Sequence, residues 1–381
     1  MATPVLNRVA IDIITMVNDL VEQIKGIAMT APQQFDKPID WSKTVSTGST
    51  LLDKAISGLK CRYGGLPGGI LVEISGPPGS GKTTIMAEVV GSVQRIGGEV
   101  RIKDPEARLD PDYCLQMGVK FDQEYYFRPD TVTDVIESII GPLVIKGGKT
   151  KRDHDQAWCP NPDFINCEGV DSLAALSTRM ELDQGDKMGQ RRAKELSEGL
   201  RIIARHIKNY NILMICTNQL RENVDAGPFA PKMITPGGHA IPFYASIRIQ
   251  LRIVGKIMRG NHIIGKNIEA FINKNSCDIE WRTAPIRLVF GYGVDDIGAN
   301  LEWLKSVGAM SEHPTEPSKK ALGYVVGNKY FPQNMPSGAL DSAIKYVEDN
   351  NLEQDIKDWV VDVWDELEKN VRVLRKEKIR R

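Results

Sequence analysis

Apolar and polar residues follow two different periods along this chain, and the two alternate between about residues 41 and 295. Short apolar runs at 71–75 and 212–217 predict buried strands, while helical spacing at 132–140 and 187–210 predicts helices. Strands that alternate with helices are typical of an α/β fold with a mostly parallel central sheet. Further strands are predicted at 99–103, 247–253, 268–273 and 285–290.

The two ends of the chain have other patterns. Residues 1–40 contain an amphipathic helical stripe and then a linker that contains proline and glutamine. A lone helix cannot bury its apolar stripe, so we expect this one to dock on the chain's own core or on another subunit. Residues 296–381 predict a small helical C-terminal domain, with a helix at 339–348 capped by Ser337 and a basic end.

Composition sets broad limits on function. The 49 basic and 49 acidic residues balance, so net charge argues neither for nor against a polyanionic partner. The six cysteines form no C-x-x-C pair, which predicts reduced thiols in the cytoplasm and no zinc site. The sequence has no evident secretory signal or membrane span, so we expect no membrane partner.

The most specific motif is the phosphate-loop pattern G-x-x-x-x-G-K-[ST], which Gly76, Gly81, Lys82 and Thr83 match at every fixed position. A predicted strand precedes it and a helix-like run, 84–90, follows it. Backbone amides at a glycine-rich helix start face phosphate oxygens. Lys82 would contact the β- and γ-phosphates, and the Thr83 hydroxyl would bind Mg²⁺. The residues expected to hold the nucleoside triphosphate are Gly76, Pro77, Pro78, Gly79, Ser80, Gly81, Lys82, Thr83 and Thr84.

Two carboxylates follow predicted strands and are candidates for the chemistry. Glu106 lies in an acidic loop after the strand 99–103, where it could act as a general base, although many acidic loops are only solvated. Asp171 lies where a carboxylate of the metal shell belongs. Glu168 and Gly169 interrupt the strand before it, so an ordinary helix N-cap is the alternative role for Asp171.

A third polar segment follows the strand 212–217. Gln219 lies there, and the carboxyl end of a buried strand is where an α/β sheet places ligand contacts. Residues 222–238 then carry three prolines and three glycines with little periodicity. A loop of this length is usually functional or disordered.

Taken in order, these motifs resemble those of the RecA recombinases from about residue 41 to 295. Many ATPases share the phosphate loop alone, whereas the ordered set is much more specific. The segments that carry the resemblance are 46–55, 64–74, 76–84, 105–113, 118–119, 171–176, 217–221 and 237–248.

The resemblance implies a RecA-like P-loop ATPase core that binds ATP and Mg²⁺. Glu106 corresponds to the family's water-activating glutamate, and Gln219 to its γ-phosphate sensor. Asp171 corresponds to the aspartate that acts on magnesium through a water molecule. Asp110 and Tyr113 correspond to the residues that hold the adenine.

The resemblance also implies two DNA-binding loops, near 181–192 and 222–238. Met188 would insert between base triplets, and the other residues expected to contact DNA are Gly189, Arg191, Arg192, Arg221, Phe229, Lys232, Gly237 and Gly238. Phe243 and Lys274 would lie at the interface between neighbouring subunits of a helical filament.

The sequence departs from the family pattern in several places. The strand before Asp171 is interrupted, and residues 147–163 look like an insertion. The family's Lys-Asn-Lys element, which reaches a neighbour's γ-phosphate, reads Asn273-Lys274-Asn275 here. Such divergence would suit a phage-encoded or otherwise distant member of the family, acting in the host cytoplasm if phage-encoded.

The leading hypothesis is an ATP-dependent DNA recombinase. Such a DNA-dependent ATPase would polymerise on single-stranded DNA and pair it with homologous double-stranded DNA, with loading or mediator proteins as possible partners. One alternative is a RecA-like hexameric motor or helicase, which would form closed rings. The other is a recombination accessory protein that binds ATP but hydrolyses it weakly, which the interrupted strand and the altered Lys274 element favour.

Overall fold

The computed structural model describes the following ranges: 39–120, 125–147, 149–178, 189–222, 233–234, 240–310, 323–336 and 338–371. For residues 189–193, 221–222 and 233–234 it describes the backbone only. The predicted N-terminal helix and the basic end of the chain lie outside these ranges. The residues described from Asp40 onward group into one compact unit.

Strands and helices alternate through the region where the sequence predicts them. The strands are β1 (Thr44–Val45), β2 (Leu66–Pro67), β3 (Leu71–Gly76), β4 (Val100–Lys103), β5 (Tyr126–Phe127), β6 (Leu143–Lys146), β7 (Lys149–Arg152), β8 (Asn166–Val170), β9 (Ile212–Gln219), β10 (Arg221–Glu222), β11 (Met233–Ile234), β12 (Ile247–Arg259), β13 (His262–Asn275), β14 (Thr283–Val289), β15 (Gly293–Val294), β16 (Gly323–Val326) and β17 (Lys329–Pro332).

The helices are α1 (Thr50–Ser57), α2 (Lys82–Arg95), α3 (Pro111–Gln116), α4 (Val132–Ile140), α5 (Gly189–Asn209), α6 (Ala240–Tyr244), α7 (Asp296–Ser306), α8 (Ala339–Asp349) and α9 (Glu353–Val371). Local sequence explains some of these bounds: Thr131 and Asp134 form a reciprocal capping box at the start of α4. The N-cap position of α8 is Gly338, which has no side chain to accept a capping hydrogen bond. Ser337, the predicted cap, lies outside the described residues.

One large sheet organises the molecule and confirms the predicted α/β class with a mostly parallel sheet. Its nine strands lie in the order β15-β14-β13-β12-β3-β9-β8-β4-β5. From β12 to β5 every pairing is parallel, and from β12 to β15 every pairing is antiparallel. The carboxyl ends of β3, β4, β8 and β9 therefore meet at one edge of the sheet.

Helices cover both faces of the parallel part. On one face α4, α5 and α6 bury a cluster that includes Val135, Leu200 and Ile241 together with Met214 of β9. On the other face α2 follows the phosphate loop, and the Met86 side chain lies against Gly169 of β8. Helix α2 buries apolar residues at helical spacing, which holds its N-terminus at the carboxyl edge of the sheet.

The strand before Asp171 is a complete central strand. All five positions of β8 are buried, and β8 pairs with β9 on one side and with β4 on the other. Glu168 is accommodated because Lys103 Nζ of β4 lies 3.8 Å from its carboxylate, with both side chains buried. The expectation of an interrupted strand is therefore wrong.

The antiparallel part extends past the carboxyl edge of the parallel part. Strand β12 pairs with β3 only over Ile247–Gln250, and it continues as a two-stranded ribbon with β13. The residues of β12 beyond Leu251 are mostly exposed. This extension brings β13 and β14 alongside the phosphate loop.

Two smaller regions complete the described structure. Strand β7, which belongs to the predicted insertion, pairs with β6 in a hairpin. The buried Trp158 follows, and its indole N–H donates to Glu99 at 3.3 Å. Helix α9 lies against the core through ion pairs of Asp365 with Lys54 at 2.7 Å and of Glu368 with Arg282 at 2.6 Å. Where a C-terminal domain begins stays a prediction.

Candidate nucleotide-binding and active site

The phosphate loop lies between the carboxyl end of β3 and the start of α2. Gly79 and Gly81 have φ angles of 70° and 88°, in the left-handed region that favours glycine. A Cβ atom on Gly76 would lie 2.5 Å from Ser80 Oγ, and one on Gly81 would lie 2.2 Å from Leu288 Cδ1. The glycines therefore permit both the turn and the close packing around it.

Lys82 lies at the first position of α2, with its ammonium group folded back over the loop. Its Nζ donates to the carbonyl oxygens of Gly76 at 3.1 Å and Pro77 at 3.0 Å. Partial burial lowers the pKa of Lys82, while the nearby Asp171 and Glu106 carboxylates act in the opposite direction. A partly desolvated cation at this place suits a polyanionic ligand.

Asp171, directly after β8, joins the loop to the neighbouring strand. Its carboxylate accepts hydrogen bonds from Thr83 Oγ1 at 2.6 Å and from Thr217 Oγ1. Burial raises the pKa of Asp171, and the two hydroxyl donors oppose that shift. The N-cap position of the next turn is Ser172, so the helix-cap alternative for Asp171 is wrong.

Glu106 and Gln219 meet across the carboxyl edge of the sheet. The Glu106 carboxylate accepts from Ser172 Oγ at 3.0 Å and from Gln219 Nε2 at 3.4 Å. Its other oxygen pairs with Arg108 at 2.8 Å. These groups surround a cavity of about 170 Å³ lined by Lys82, Thr83, Asp104, Glu106, Arg108, Leu109, Asp171, Ser172 and Gln219.

A second cavity, of about 390 Å³, lies on the other side of Lys82 and Thr83. The hydroxyl groups of Tyr113 and Thr84 are hydrogen-bonded at 2.6 Å. The lining residues are Gly79, Gly81, Lys82, Thr83, Thr84, Tyr113, Lys266, Leu288, Val289, Phe290, Gly291 and Gly293. Asp110 is absent from this lining; its carboxylate accepts from the Asp112 amide and caps α3.

The donor set fits Mg²⁺ and a nucleoside triphosphate. Ser80 Oγ is fully buried in the loop and has no hydrogen-bond partner among the described residues. Thr83 and Asp171 supply the hydroxyl and carboxylate oxygens that Mg²⁺ prefers, and Lys82 supplies a positive charge. The two cavities share Lys82 and Thr83, so a ligand can place its phosphates there and extend to both sides.

Comparison with known proteins agrees with this arrangement. A model of the RecA N-terminal domain matches residues 22–295. Protein RecA of Teredinibacter turnerae is 31% identical over 285 residues, which cover 74% of this chain and 77% of that protein. Protein RecA of Xylella fastidiosa, strains M23 and Temecula1, is 30% identical over 309 residues, which cover 78% of this chain and 83% of that protein.

This chain belongs to the RecA family. Membership confirms the predicted family and supports the terms recombination, repair, ATP binding, DNA binding and ATPase for the chain. Within the described residues, no helix combines the length and the apolar character needed to cross a bilayer.

The residues expected at a RecA-type subunit interface lie together. Phe243 at the end of α6 is 74% exposed. Lys274 Nζ donates to the carbonyl oxygens of Pro242 at 2.8 Å and Phe243 at 3.1 Å. Partial burial and the neighbouring Arg248 lower the pKa of Lys274. Whether Phe243 and Lys274 contact another subunit stays a prediction.

The residues expected to contact DNA are only partly described. Gly189 begins α5, which also contains Arg191 and Arg192, and Arg221 lies in β10, but the side chains of these arginines are not described. Strand β10 follows Gln219 almost directly and pairs with β11, which closes the base of the second predicted loop. Met188, Phe229, Lys232, Gly237 and Gly238 lie outside the described residues.

Sequence reasoning missed the side of the nucleotide cleft that the antiparallel strands provide. Lys266 Nζ of β13 donates to the Gly79 carbonyl oxygen at 2.7 Å, and Leu288 of β14 packs against Gly81. Lys266 is more than 180 positions from Gly79 in the sequence, with no motif around it. Only the register of β12 against β3 brings these residues to the loop, and a single sequence gives no signal for that register.

Proposed function

We propose that this RecA-family chain is an ATP-dependent DNA recombinase, which polymerises on single-stranded DNA and promotes homologous pairing and strand exchange. The observation that carries the proposal is the contact of Gln219 with Glu106, 3.4 Å apart at the end of the strand that leads into the second predicted DNA loop. This contact joins the candidate hydrolytic group to the candidate DNA-binding segment through the backbone of a single strand.

The carboxylates have different roles in this proposal. Glu106 lies at the rim of the smaller cavity and accepts a proton from the attacking water. Asp171 is held between two hydroxyl groups, so it orients Thr83 and would help to hold Mg²⁺ through water. Bound Mg²⁺ neutralises charge that develops on the phosphates. Ser172 and Arg108 hold the Glu106 carboxylate in place.

The γ-phosphate end of ATP is assigned to the smaller cavity, because Glu106, Asp171 and Gln219 all line it. The adenosine end is assigned to the larger cavity, where Tyr113 offers a ring face and Phe290 is exposed. Lys82 and Thr83 lie between the two ends. Gln219 senses the γ-phosphate. Strand β10 begins at Arg221, only two residues after Gln219, so a movement of Gln219 is passed to the start of β10.

DNA binding in this proposal rests on backbone contacts and stacking, so sequence preference is weak and affinity falls steeply with salt. Subunits associate through the surface that includes Phe243 and Lys274, with ATP held between neighbours. The protein acts in the cytoplasm, and mediator proteins can assist its loading.

The test combines hydrolysis, pairing and imaging on the full chain. We expect single-stranded DNA to stimulate ATP hydrolysis, homologous oligonucleotides to exchange strands, and electron microscopy with a non-hydrolysable ATP analogue to reveal helical filaments. Closed rings in place of filaments would favour the hexameric motor. Absence of both stimulated hydrolysis and strand exchange would refute the recombinase.

The weakly hydrolysing accessory protein stays a second candidate because of Lys274. In this chain Lys274 has asparagine on both sides, and its ammonium group is already bonded to two carbonyl oxygens of its own subunit. If Lys274 does not leave those carbonyls, no lysine of this element reaches a neighbour's γ-phosphate. Filaments that bind ATP and DNA but turn over no faster than a Glu106→Gln variant would identify the accessory.

A further inference from the structure

Lys266 is a second cation on the phosphate loop. Its Nζ donates to the Gly79 carbonyl oxygen at 2.7 Å, much as Lys82 Nζ donates to the Gly76 and Pro77 carbonyls of the same loop. Lys82 approaches the loop from α2, whereas Lys266 approaches it from β13. Two ammonium groups therefore lie on opposite sides of one anion-binding segment.

The surroundings of Lys266 leave its charge largely uncompensated. No carboxylate pairs with it among the residues that the structure describes. Directly across the ribbon it faces Lys256, and like charges in opposite positions of an antiparallel pair destabilise a sheet. The Phe290 ring lies 5.2 Å from Nζ, which favours a cation but does not neutralise it. Sheet stability therefore does not account for a lysine at this position.

The location of Lys266 specifies which part of a nucleotide it would meet. It lines the larger cavity with Gly79, Thr84 and Tyr113, and it does not line the smaller cavity, where Glu106 and Gln219 lie. With the γ-phosphate in the smaller cavity, the phosphates nearest the ribose lie on the side of Lys266. An ammonium group has three donors, so one can remain on Gly79 while the others bind phosphate oxygens.

We propose that Lys266 binds the phosphates nearest the ribose of the nucleotide and thereby sets the affinity for ATP and ADP alike. The proposal rests on the proposed ATP site and adds to it a cation from the antiparallel part of the sheet. It separates two functions: Lys266 retains the nucleotide whether or not a γ-phosphate is present, whereas Gln219 distinguishes ATP from ADP.

The test measures dissociation constants of the full chain for ATP, ADP and adenosine with Mg²⁺, by competition against a fluorescent ADP analogue. We expect Lys266→Met to weaken ATP and ADP binding by about tenfold each, since one charge-assisted contact is lost, and to leave adenosine binding unchanged. Lys266→Arg should keep most of the affinity. Lys256→Met, which removes the opposite lysine of the same ribbon pair, should change nothing.

Two results would overturn the proposal. Unchanged ATP and ADP affinities in Lys266→Met would mean that Lys266 does not bind phosphate. An equal loss for adenosine would mean that it only supports the shape of the cleft. If the wild-type chain itself binds neither ATP nor ADP, the proposed function fails instead, so the two failures are distinguishable.

Discussion

The parallel and the antiparallel parts of the central sheet contribute to the nucleotide cleft in different ways. In the parallel part, four strands end at one edge, and the groups proposed for hydrolysis lie at or after those ends: Lys82, Glu106, Asp171 and Gln219. In the antiparallel part, β13 and β14 run past that edge, and Lys266 lies within a strand rather than after one.

The strands of the parallel part point their ends at the nucleotide cleft and supply the groups proposed for hydrolysis, whereas the antiparallel strands run alongside the cleft and form its wall. Strand ends present side chains toward a common point, which suits groups that must act on the same atoms. Strands that run alongside the phosphate loop contact it from the side through single side chains, as Leu288 contacts Gly81 and Lys266 contacts Gly79. Variants of each part should therefore fail in different assays.

The largest effect is expected at the end of β4. Glu106→Gln should lower the rate constant of ATP hydrolysis by about 10²- to 10⁴-fold, because the proton acceptor is lost, while ATP affinity changes little. Single-turnover hydrolysis and equilibrium binding measure the two quantities. Asp112→Asn, an exposed acid in the following helix, serves as the control. Wild-type turnover as low as that of the variant would assign the chain to the accessory class.

The next effect concerns the ion pair that joins the parallel and the antiparallel parts of the sheet. Buried Glu73 of β3 accepts from Arg248 Nε of β12 at 2.5 Å and from Asn218 Nδ2 of β9 at 2.9 Å. Glu73→Gln should lower the free energy of unfolding by about 3 kcal/mol, since the partly buried Arg248 loses its counter-charge. Denaturant unfolding measures the loss. Adding Arg248→Met should cost little more, and strictly additive losses would contradict the pairing.

A pH effect is expected inside the parallel part. Burial raises the pKa of Glu168 from 4.5 to about 7, although Lys103 and Arg101 oppose the shift. Between these values the folded state holds a proton that the unfolded state has released, so stability falls as pH rises through the window. The loss is at most about 3 kcal/mol. Burial lowers the pKa of Lys103. At higher pH the folded state therefore releases this proton before the unfolded state does, so Lys103 makes stability rise with pH.

Denaturant midpoints at intervals from pH 5 to pH 8 measure the Glu168 contribution. Glu168→Gln should flatten the slope, whatever its overall cost in stability. A slope that stays equal to that of the wild type would assign the pH dependence to other groups.

The smallest effect is expected at the contact between Gly81 of the phosphate loop and Leu288 of β14. Gly81→Ala should cost about 2 kcal/mol, partly from the left-handed backbone and partly from the collision with Leu288. In a Leu288→Ala background the collision is absent, so Gly81→Ala should cost only the backbone part. Thermal unfolding of the four proteins gives the coupling energy. An equal loss of stability in both backgrounds would show that Leu288 of β14 does not restrict the space at Gly81.

The sequence predicted the parts that depend on local pattern. The strands before Gly76 and Gln219 and the helix at 132–140 were recognisable from periodicity. That Glu106, Asp171 and Gln219 serve one site was implied only by the resemblance to the RecA recombinases, and the structure brings the three side chains to one cavity. The strand β8 was misjudged because the group that accommodates Glu168, Lys103, lies on another strand. Charge pairs across a sheet have no fixed spacing in the sequence.

The same limit explains what was missed at the cleft. Lys266 and Leu288 reach the phosphate loop through strand register, which propensity and spacing do not encode. At Asp110 the local role was visible in the Pro111 that follows it, since both favour a helix start, and the structure has Asp110 as the cap of α3. Contact of Asp110 with adenine stays a prediction.

The short pairing of β10 with β11 has a consequence for how this protein can diversify. Arg221 faces Ile234 and Glu222 faces Met233, so the ends of the intervening segment are fixed beside each other next to Gln219. Doubling the length of a closed loop costs only about 0.6 kcal/mol. Insertions, deletions or grafted sequences between those ends should therefore cost little folding free energy. Because β10 and β11 hold the ends of the segment together, residues 223–232 can vary in sequence and length while the ATPase core stays the same.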